Sequence, residues 1–198
     1  MSLMSKIATT EELGLPPGAR YVAGFVDLPM QDALIAAVDE QPWIEDLKRR
    51  VQHYGYRYDY RARNLTADAH LGPLPQWASD LAGRLVGNGW FEEPPDQLIV
   101  NEYLPGQGIS AHVDCVPCFG NVIASISLLS TCEMVFKERG TDQRRAAVLE
   151  PRSAIFISGP ARDEWTHEIP ARKSDPINGQ RVPRWRRVSL TFRTVQVS

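Results

Sequence analysis

Five residues in the second half of the chain could do chemistry together: His112, Asp114, His167, Arg187 and Arg193. His112 and Asp114 are two apart, so in a strand both project from one face and can reach one ion. The chain has four histidines, His53, His70, His112 and His167. Of these, His167 sits in the strand-like run Trp165-Thr166-His167-Glu168-Ile169, just after Gly159-Pro160, and is the natural third ligand. Two histidines and a carboxylate fill three positions of an octahedral ion and leave three open, the donor set of a ferrous oxygenase. Spacing alone is a weak signal, because two ordinary histidines and a surface aspartate would read the same way.

The arginines shift that balance. The run Arg187-Val188-Ser189-Leu190-Thr191-Phe192-Arg193 alternates strictly, with Val188, Leu190 and Phe192 on a core-like face and Arg187, Ser189, Thr191 and Arg193 on the other. Arginine is costly to bury without a partner. Two of them on one face of so apolar a strand ask for an anionic guest, which a guanidinium grips through two parallel hydrogen bonds. Six residues of strand span about 20 Å at most, too long for one carboxylate. One arginine must reach back, or the strand must coil. The competing picture is an exposed edge strand with solvated arginines.

Those residues need a scaffold, and the chain punctuates one clearly. Asp27 before Leu28-Pro29 is an N-cap with proline in the first turn. Leu34, Ile35 and Val38 follow at helical spacing, with a stop before Pro42. Pro75 opens a second helix with Trp77, Leu81 and Leu85 as its apolar face, closing at Gly87-Asn88-Gly89. Residues 51–60 alternate around Tyr54, Tyr56, Tyr58 and Tyr60 and read as a strand. After Pro94-Pro95 come short strand-like runs at 97–104, 109–114, 122–129, 132–137, 146–149, 153–158, 166–169 and 187–195. Such a series predicts a sandwich or barrel, so the fold class is α+β and mainly β, two helices packed on one β domain. Residues 1–20 read as an arm, with Met1-Ser2-Leu3 an addition ahead of Met4, and residues 21–198 as a single domain.

The gross numbers fit that reading. With 198 residues, 43% hydrophobic and 23% charged, the chain can fold as one soluble domain. It shows no secretory signal pattern and no apolar run that could span a bilayer, and its three cysteines argue against a disulfide framework. A reducing cytoplasm, no membrane association and a monomeric state are expected. The net charge of −2 is uneven: residues 48–64 and 171–187 each carry a net +5. Each is either a solvated face or a contact for an anionic partner. The second, rich in Pro, Gly and Asn, reads as a lid or a mobile loop.

The segments Asn101-Glu102-Tyr103-Leu104-Pro105-Gly106-Gln107-Gly108-Ile109 to His112-Val113-Asp114, Arg162-Asp163-Glu164-Trp165-Thr166-His167 and Arg187 to Arg193 resemble the AlkB family. These are Fe(II)- and 2-oxoglutarate-dependent dioxygenases. The similarity runs from about residue 20 to residue 195 in matching order, and the combined N-x-Y, H-x-D, distal H and R-x5-R pattern is specific. Within the family, His53-Tyr54-Gly55-Tyr56 and Trp165-Thr166-His167 are most similar to the AlkB-like domain of the tRNA wobble-uridine hydroxylase.

The resemblance implies a double-stranded β-helix, or jelly roll, with supporting N-terminal helices. It implies that His112, Asp114 and His167 bind iron. It further implies that Arg187, Ser189 and Tyr103 hold the distal carboxylate of 2-oxoglutarate. Arg193 and Asn101 then serve the carboxylate beside the keto group, which resolves the spacing problem. The implied reaction couples O2 and 2-oxoglutarate to hydroxylation or oxidative demethylation of a nucleic acid, RNA, tRNA or alkylated single-stranded DNA. Tyr54, Tyr56, Arg57, Tyr58 and Arg61 are the candidate substrate contacts, with base stacking and phosphate binding as their roles; a tyrosine-rich strand packed on the core would look the same. The same chemistry on a protein or small molecule, or a silent nucleic-acid-binding module, are the alternatives. Full retention of all five site residues speaks against the silent module.

Two features depart from the pattern. Repair members carry a second acidic residue two places after the H-x-D aspartate, where this chain has Val116. Cys115-Val116-Pro117-Cys118 follows the H-x-D directly, whereas zinc deaminases place their cysteines far downstream of the histidine. These cysteines therefore read as two loop thiols, open to oxidation near the iron.

Overall fold

The computed structural model describes residues 7–8, 14–60, 62, 64–65 and 67–196. In chain order the elements are β1 (Ile7–Ala8), β2 (Ala19–Val22), α1 (Leu28–Asp39), β3 (Arg50–Tyr54), α2 (Gln76–Gly87), β4 (Gln97–Tyr103) and β5 (Ile109–His112). They continue with β6 (Phe119–Leu128), β7 (Cys132–Glu138), β8 (Arg144–Leu149), β9 (Ser153–Ser158), α3 (Pro160–Asp163) and β10 (Trp165–Ile169). The chain closes with β11 (Ser174–Ile177), β12 (Gln180–Pro183) and β13 (Arg187–Val195).

Alternation in the strands decides the layers. The large sheet runs β1-β2-β9-β6-β13-β4-β3 and the small sheet β5-β10-β7-β8, with every pair antiparallel. One face of the large sheet, with Val188, Leu190, Phe192, Ile126, Leu128 and Phe156, packs on Leu34 and Val38 of α1 and Leu81 and Leu85 of α2. The other face, with Ile123, Ile155 and Ile157, packs on Phe136, Met134, Trp165 and Ile169 of the small sheet. A period of two thus sends every second residue of β13 into the space between the sheets. The result is the jelly roll with helices on one outer face.

The helix boundaries follow their caps. Asp27 accepts a hydrogen bond from the Met30 backbone N–H at 2.9 Å, and α1 ends at Asp39. Pro75 is the N-cap of α2, which ends at Gly87. Elsewhere the structure departs from the expected elements. The strand expected over 51–60 stops at Tyr54, because Gly55 takes φ +76° and a Cβ there would fall 1.8 Å from the Asp96 carbonyl oxygen. The end of the expected arm joins the large sheet: Ala19 to Val22 pair with β9, and Leu15 is fully buried.

The 171–187 segment is not a structureless loop. β11 and β12 form a hairpin whose turn residues Asn178 and Gly179 both have positive φ, the geometry of a tight hairpin turn. Asp175 ties it down by accepting from Arg172 at 2.8 Å and from Arg184 at 2.5 and 2.7 Å. Arg172 also reaches Glu133 on β7 at 2.6 Å. Part of the segment's positive charge is therefore spent on its own anchoring.

Gly108 sets how closely β5 approaches β10. A Cβ there would sit 2.2 Å from the Ile169 carbonyl oxygen and 2.8 Å from the Ala171 nitrogen, both backbone atoms. We expect Gly108→Ala to destabilise the protein by about 1–3 kcal/mol in urea denaturation. Because β5 carries His112, the same substitution should weaken metal affinity in a calorimetric titration. A variant with unchanged stability and affinity would show that the strand pair yields freely there.

Candidate metal centre

The metal triad assembles across the edge of the small sheet. His112 on β5 and His167 on β10 are cross-strand partners, with ring centroids 4.4 Å apart. Asp114 follows β5 and is buried. Ligand-capable atoms of His112, Asp114 and His167 all lie within 4.8 Å of one another. His112 Nδ1 lies 2.8 Å from the Ser110 carbonyl oxygen, so a proton on Nδ1 would leave Nε2 to a metal.

The electrostatics suit a divalent cation. Burial pushes the Asp114 carboxyl up, but Arg193 and the imidazoles of His167 and His112 outweigh it and hold the group well below the usual carboxylate range. Burial pushes His167 down to about 4, against the pull of Asp114 and helped by His112 and Arg193. The 3.5 Å contact between His167 Nε2 and Asp114 Oδ2 is therefore not an ion pair at neutral pH. Asp114 Oδ2 and His167 Nδ1 are buried without a hydrogen-bond partner. An unsatisfied buried acceptor costs about 1–3 kcal/mol, more when charged, and a bound cation relieves that cost at Oδ2. The donor set fits Fe(II).

Facing the triad is a cavity of about 550 Å³ between the two sheets. Arg187, Ser189, Thr191 and Arg193 of β13 line it, as do Asn101 and Tyr103 of β4. Arg193 donates to Asp114 Oδ1 from Nε at 3.0 Å and Nη2 at 2.8 Å, and its Nη1 reaches Gln97 at 3.3 Å. Arg187 is 3% exposed and pairs with no carboxylate among the described residues. It donates to Ser127 Oγ at 2.8 Å, lies 5.2 Å from the Tyr103 ring centroid and leaves Nε without a partner. Both arginines are thus buried in the cavity wall, and neither sits on an exposed edge.

Most expected site residues meet here, and some do not. Asn101 lines the cavity but lies opposite Ser189, while Gln97 lies opposite Arg193. Its carboxamide oxygen accepts from Arg49 Nε at 2.8 Å. Of the tyrosine run, Tyr58 lines the cavity together with Tyr60, and the two rings meet edge to face at 5.3 Å. Tyr54 packs edge to face on Trp77 of α2, and Tyr56 leans on His70; neither lines the cavity. Arg57 is exposed in an adjoining groove with His53, whose imidazole burial and Arg57, Arg193 and Arg49 push down to about 4. Arg61 lies outside the described residues.

Sequence reasoning missed Arg49, Ser127, Gln97 and Tyr60 as site residues. Ser127 is legible once β6 is paired with β13, because it falls opposite Ser189. Arg49 carried no signal beyond its charge. The two loop thiols need correction: Cys115 and Cys118 are joined in a disulfide, within a turn where Cys118 N–H donates to the Cys115 carbonyl at 3.2 Å. Three residues of separation in a tight turn bring the sulfurs together without any wider framework. Cys132 is free and buried.

Comparison with known proteins points the same way. The family model described as the 2OG-Fe(II) oxygenase superfamily matches residues 28–193. An Arabidopsis thaliana protein named alkylated DNA repair protein ALKBH8 homolog is 37% identical over 203 residues, covering 91% of this chain and 59% of that protein. The Xenopus tropicalis protein named tRNA (carboxymethyluridine(34)-5-O)-methyltransferase alkbh8 is 35% identical, covering 100% of this chain and 35% of its own length. The chain thus spans between about a third and three fifths of these two relatives. Among solved structures, OsALKBH1 superposes with a TM-score of 0.67 at 20% identity, covering 96% of this chain and 100% of that one, a likeness of fold. No helix among the described residues is long and apolar enough to cross a membrane.

Proposed function

Because the chain belongs to the 2OG-Fe(II) oxygenase superfamily and is AlkB-like within it, we propose that it oxidises a modified base in a single-stranded or base-flipped nucleic acid. The chain is a dioxygenase that uses Fe(II), 2-oxoglutarate and O2. The observation that carries the reading is a two-histidine, one-aspartate cluster, with Asp114 and His167 buried and His112 half-buried, facing two buried arginines across one cavity.

His112, Asp114 and His167 would hold the iron. Arg187, with Tyr103 and Ser189 beside it, would grip the distal carboxylate of 2-oxoglutarate. Arg193, braced by Asp114 and Gln97, would face the carboxylate next to the keto group. Bound iron and co-substrate supply the oxidising chemistry that hydroxylates a C–H bond as 2-oxoglutarate becomes succinate and CO2. The chain's own contribution is orientation and the exclusion of water by the two apolar sheet faces. Hydroxylation of an N-methyl group yields a hemiaminal that loses formaldehyde, whereas an ordinary carbon stops at the alcohol.

The nucleic-acid part rests on the cavity mouth. Tyr58 and Tyr60 offer aromatic faces for a base, and exposed Lys48 and Arg57 lie beside them for phosphates. Exposed Val116 stands where repair members of the family have an acid, which favours a neutral modified base over a cationic alkylated one. The names of both relatives also speak of nucleic acid, DNA in one and tRNA in the other.

We expect single-stranded RNA to bind more tightly than duplex, with affinity falling steeply as salt rises. Tyr58→Ala should cost about 1–3 kcal/mol of binding, the usual worth of a stacked base. Arg57→Ala should flatten the salt dependence. Titrations at two salt concentrations, with formaldehyde and succinate measured against tRNA and methylated oligonucleotides, test the reading. No binding to any nucleic acid at low salt would overturn the substrate and leave the dioxygenase chemistry standing.

A further inference from the structure

Arg49 is a buried cation to which neither the metal centre nor 2-oxoglutarate gives a counter-ion. It precedes β3 and is 9% exposed, whereas its neighbour Lys48 is exposed at the cavity mouth. The other buried arginines, Arg187 apart, are matched with acids, and so is the adjacent Arg50. Arg50, on the opposite face of the strand, pairs with Glu102; Arg184 pairs with Asp175, Arg162 with Asp163 and Arg193 with Asp114. Among the described residues, Arg49 and Arg187 are the two buried arginines lining the cavity that have no such partner.

The strand register explains why they share a site. β3 pairs Val51 with Asn101, and β4 pairs Asn101 with Ser189 and Tyr103 with Arg187. One step further along the same register brings Arg49 to Tyr103, so Arg49, Tyr103 and Arg187 form one row facing the cavity. The guanidinium centres of Arg49 and Arg187 lie 5.9 and 5.2 Å from the Tyr103 ring centroid, and that of Arg49 lies 5.8 Å from the Tyr60 ring. Tyr60 also turns a buried hydroxyl without a partner toward this space.

Asn101 fixes the direction of the group. Its carboxamide oxygen takes the Nε–H of Arg49 at 2.8 Å. One of five donors is thereby used, and the forked Nη edge is left for a guest. Charge points to what the guest is. Iron and 2-oxoglutarate bring equal and opposite charge. The loaded cavity therefore still sets Arg49, Arg187 and Arg193 against Asp114 alone. A further anion is wanted, and a guanidinium fork matches two oxygens of a carboxylate or a phosphate.

We propose that Arg49 is a third anion-binding arginine of the cavity, oriented by Asn101, and that it receives an oxyanion carried by the molecule being oxidised. On the nucleic-acid reading above, from which this step proceeds, that oxyanion is a nucleotide phosphate. The co-substrate's carboxylates stay with Arg187 and Arg193. Asn101 accordingly serves the substrate side of the cavity through Arg49 and not the keto-acid end beside Arg193.

The test is calorimetric titration of the full chain loaded with Mn(II) and 2-oxoglutarate, with uridine, uridine 5′-monophosphate and inorganic phosphate as probes. For the wild type, uridine 5′-monophosphate should bind at least about tenfold more tightly than uridine, the worth of one charge-assisted contact. Arg49→Gln should collapse that preference to within about twofold. Arg49→Lys keeps the charge and stem but lacks the fork, so it should restore part of it. A preference that survives in Arg49→Gln overturns the proposal, because the phosphate is then held elsewhere. So does a loss of 2-oxoglutarate affinity in Arg49→Gln as large as that in Arg187→Lys, which would assign the guanidinium to the co-substrate. Inorganic phosphate that binds the wild type and not Arg49→Gln, while neither the nucleotide nor single-stranded RNA binds, supports the oxyanion site and sinks the nucleic-acid reading separately.

Discussion

Replacing His167 with alanine should abolish succinate formation and reduce Fe(II) or Mn(II) affinity by more than about a hundredfold, since even groups outside the coordination shell are worth about 10–100-fold. Its imidazole supplies Nε2 toward Asp114 and sits opposite His112 on the neighbouring strand, so no other described side chain stands ready to replace it. The fold should survive, because β10 is held by Trp165 and Ile169 and by its pairing with β7. Asp114→Ala should behave differently. It removes the same metal and also strips Arg193 of its buried carboxylate, and breaking a buried pair from one side costs about 3–5 kcal/mol. The contrast between the two variants is the useful result. His167→Ala should lose metal with little loss of stability in urea denaturation, and Asp114→Ala should lose both. Full turnover by iron-loaded His167→Ala protein would remove His167 from the site.

The strands that carry this chemistry were legible because they are amphipathic in a simple way. β13 shows an apolar face of Val188, Leu190 and Phe192 and a polar face of Arg187, Ser189, Thr191 and Arg193, and the structure buries the two faces against different layers. A period of two is enough to read which side chains share a face. The second apolar face of the large sheet belongs to β6 and β9 and was less visible, since strands buried on both sides do not alternate in polarity. What could not be read is what depends on register. The resemblance groups Asn101 with Arg193, whereas the register sets Asn101 opposite Ser189, two rows along, and within reach of Arg49. The tyrosine run departs from its expected strand for another reason. Its alternation is real in sequence, but Gly55 breaks the strand, so Tyr54 turns to the helices and only Tyr58 and Tyr60 turn to the cavity. The hairpin of β11 and β12 was hidden by its own turn chemistry, since Pro176, Asn178 and Gly179 suggest a loop until Asp175 is seen tying Arg172 to Arg184.

Arg187→Lys should raise the KM for 2-oxoglutarate by about 10–100-fold, and lower kcat much less. The guanidinium lies at the end of the β13 row that starts from Arg193 beside the triad, so it serves the part of the co-substrate remote from the reacting bond. An interaction made equally in ground and transition states moves KM and spares kcat. Lysine keeps the positive charge and loses the planar fork, so two parallel hydrogen bonds to a carboxylate become one. A hydrogen bond to a charged group is worth about 1.5–3 kcal/mol, which sets the size of the effect. Two further losses accompany it: the 2.8 Å bond to Ser127, and the stacking of the guanidinium on Tyr103. Ser127→Ala should therefore produce a smaller rise in the same direction, because it frees the guanidinium to wander without removing the fork. In steady-state titrations of 2-oxoglutarate, KM should rise in the order wild type, Ser127→Ala, Arg187→Lys. Superimposable curves for wild type and Arg187→Lys would mean that the distal carboxylate is held by another cation, and Arg49, across Tyr103 in the same row, would be the one to test next.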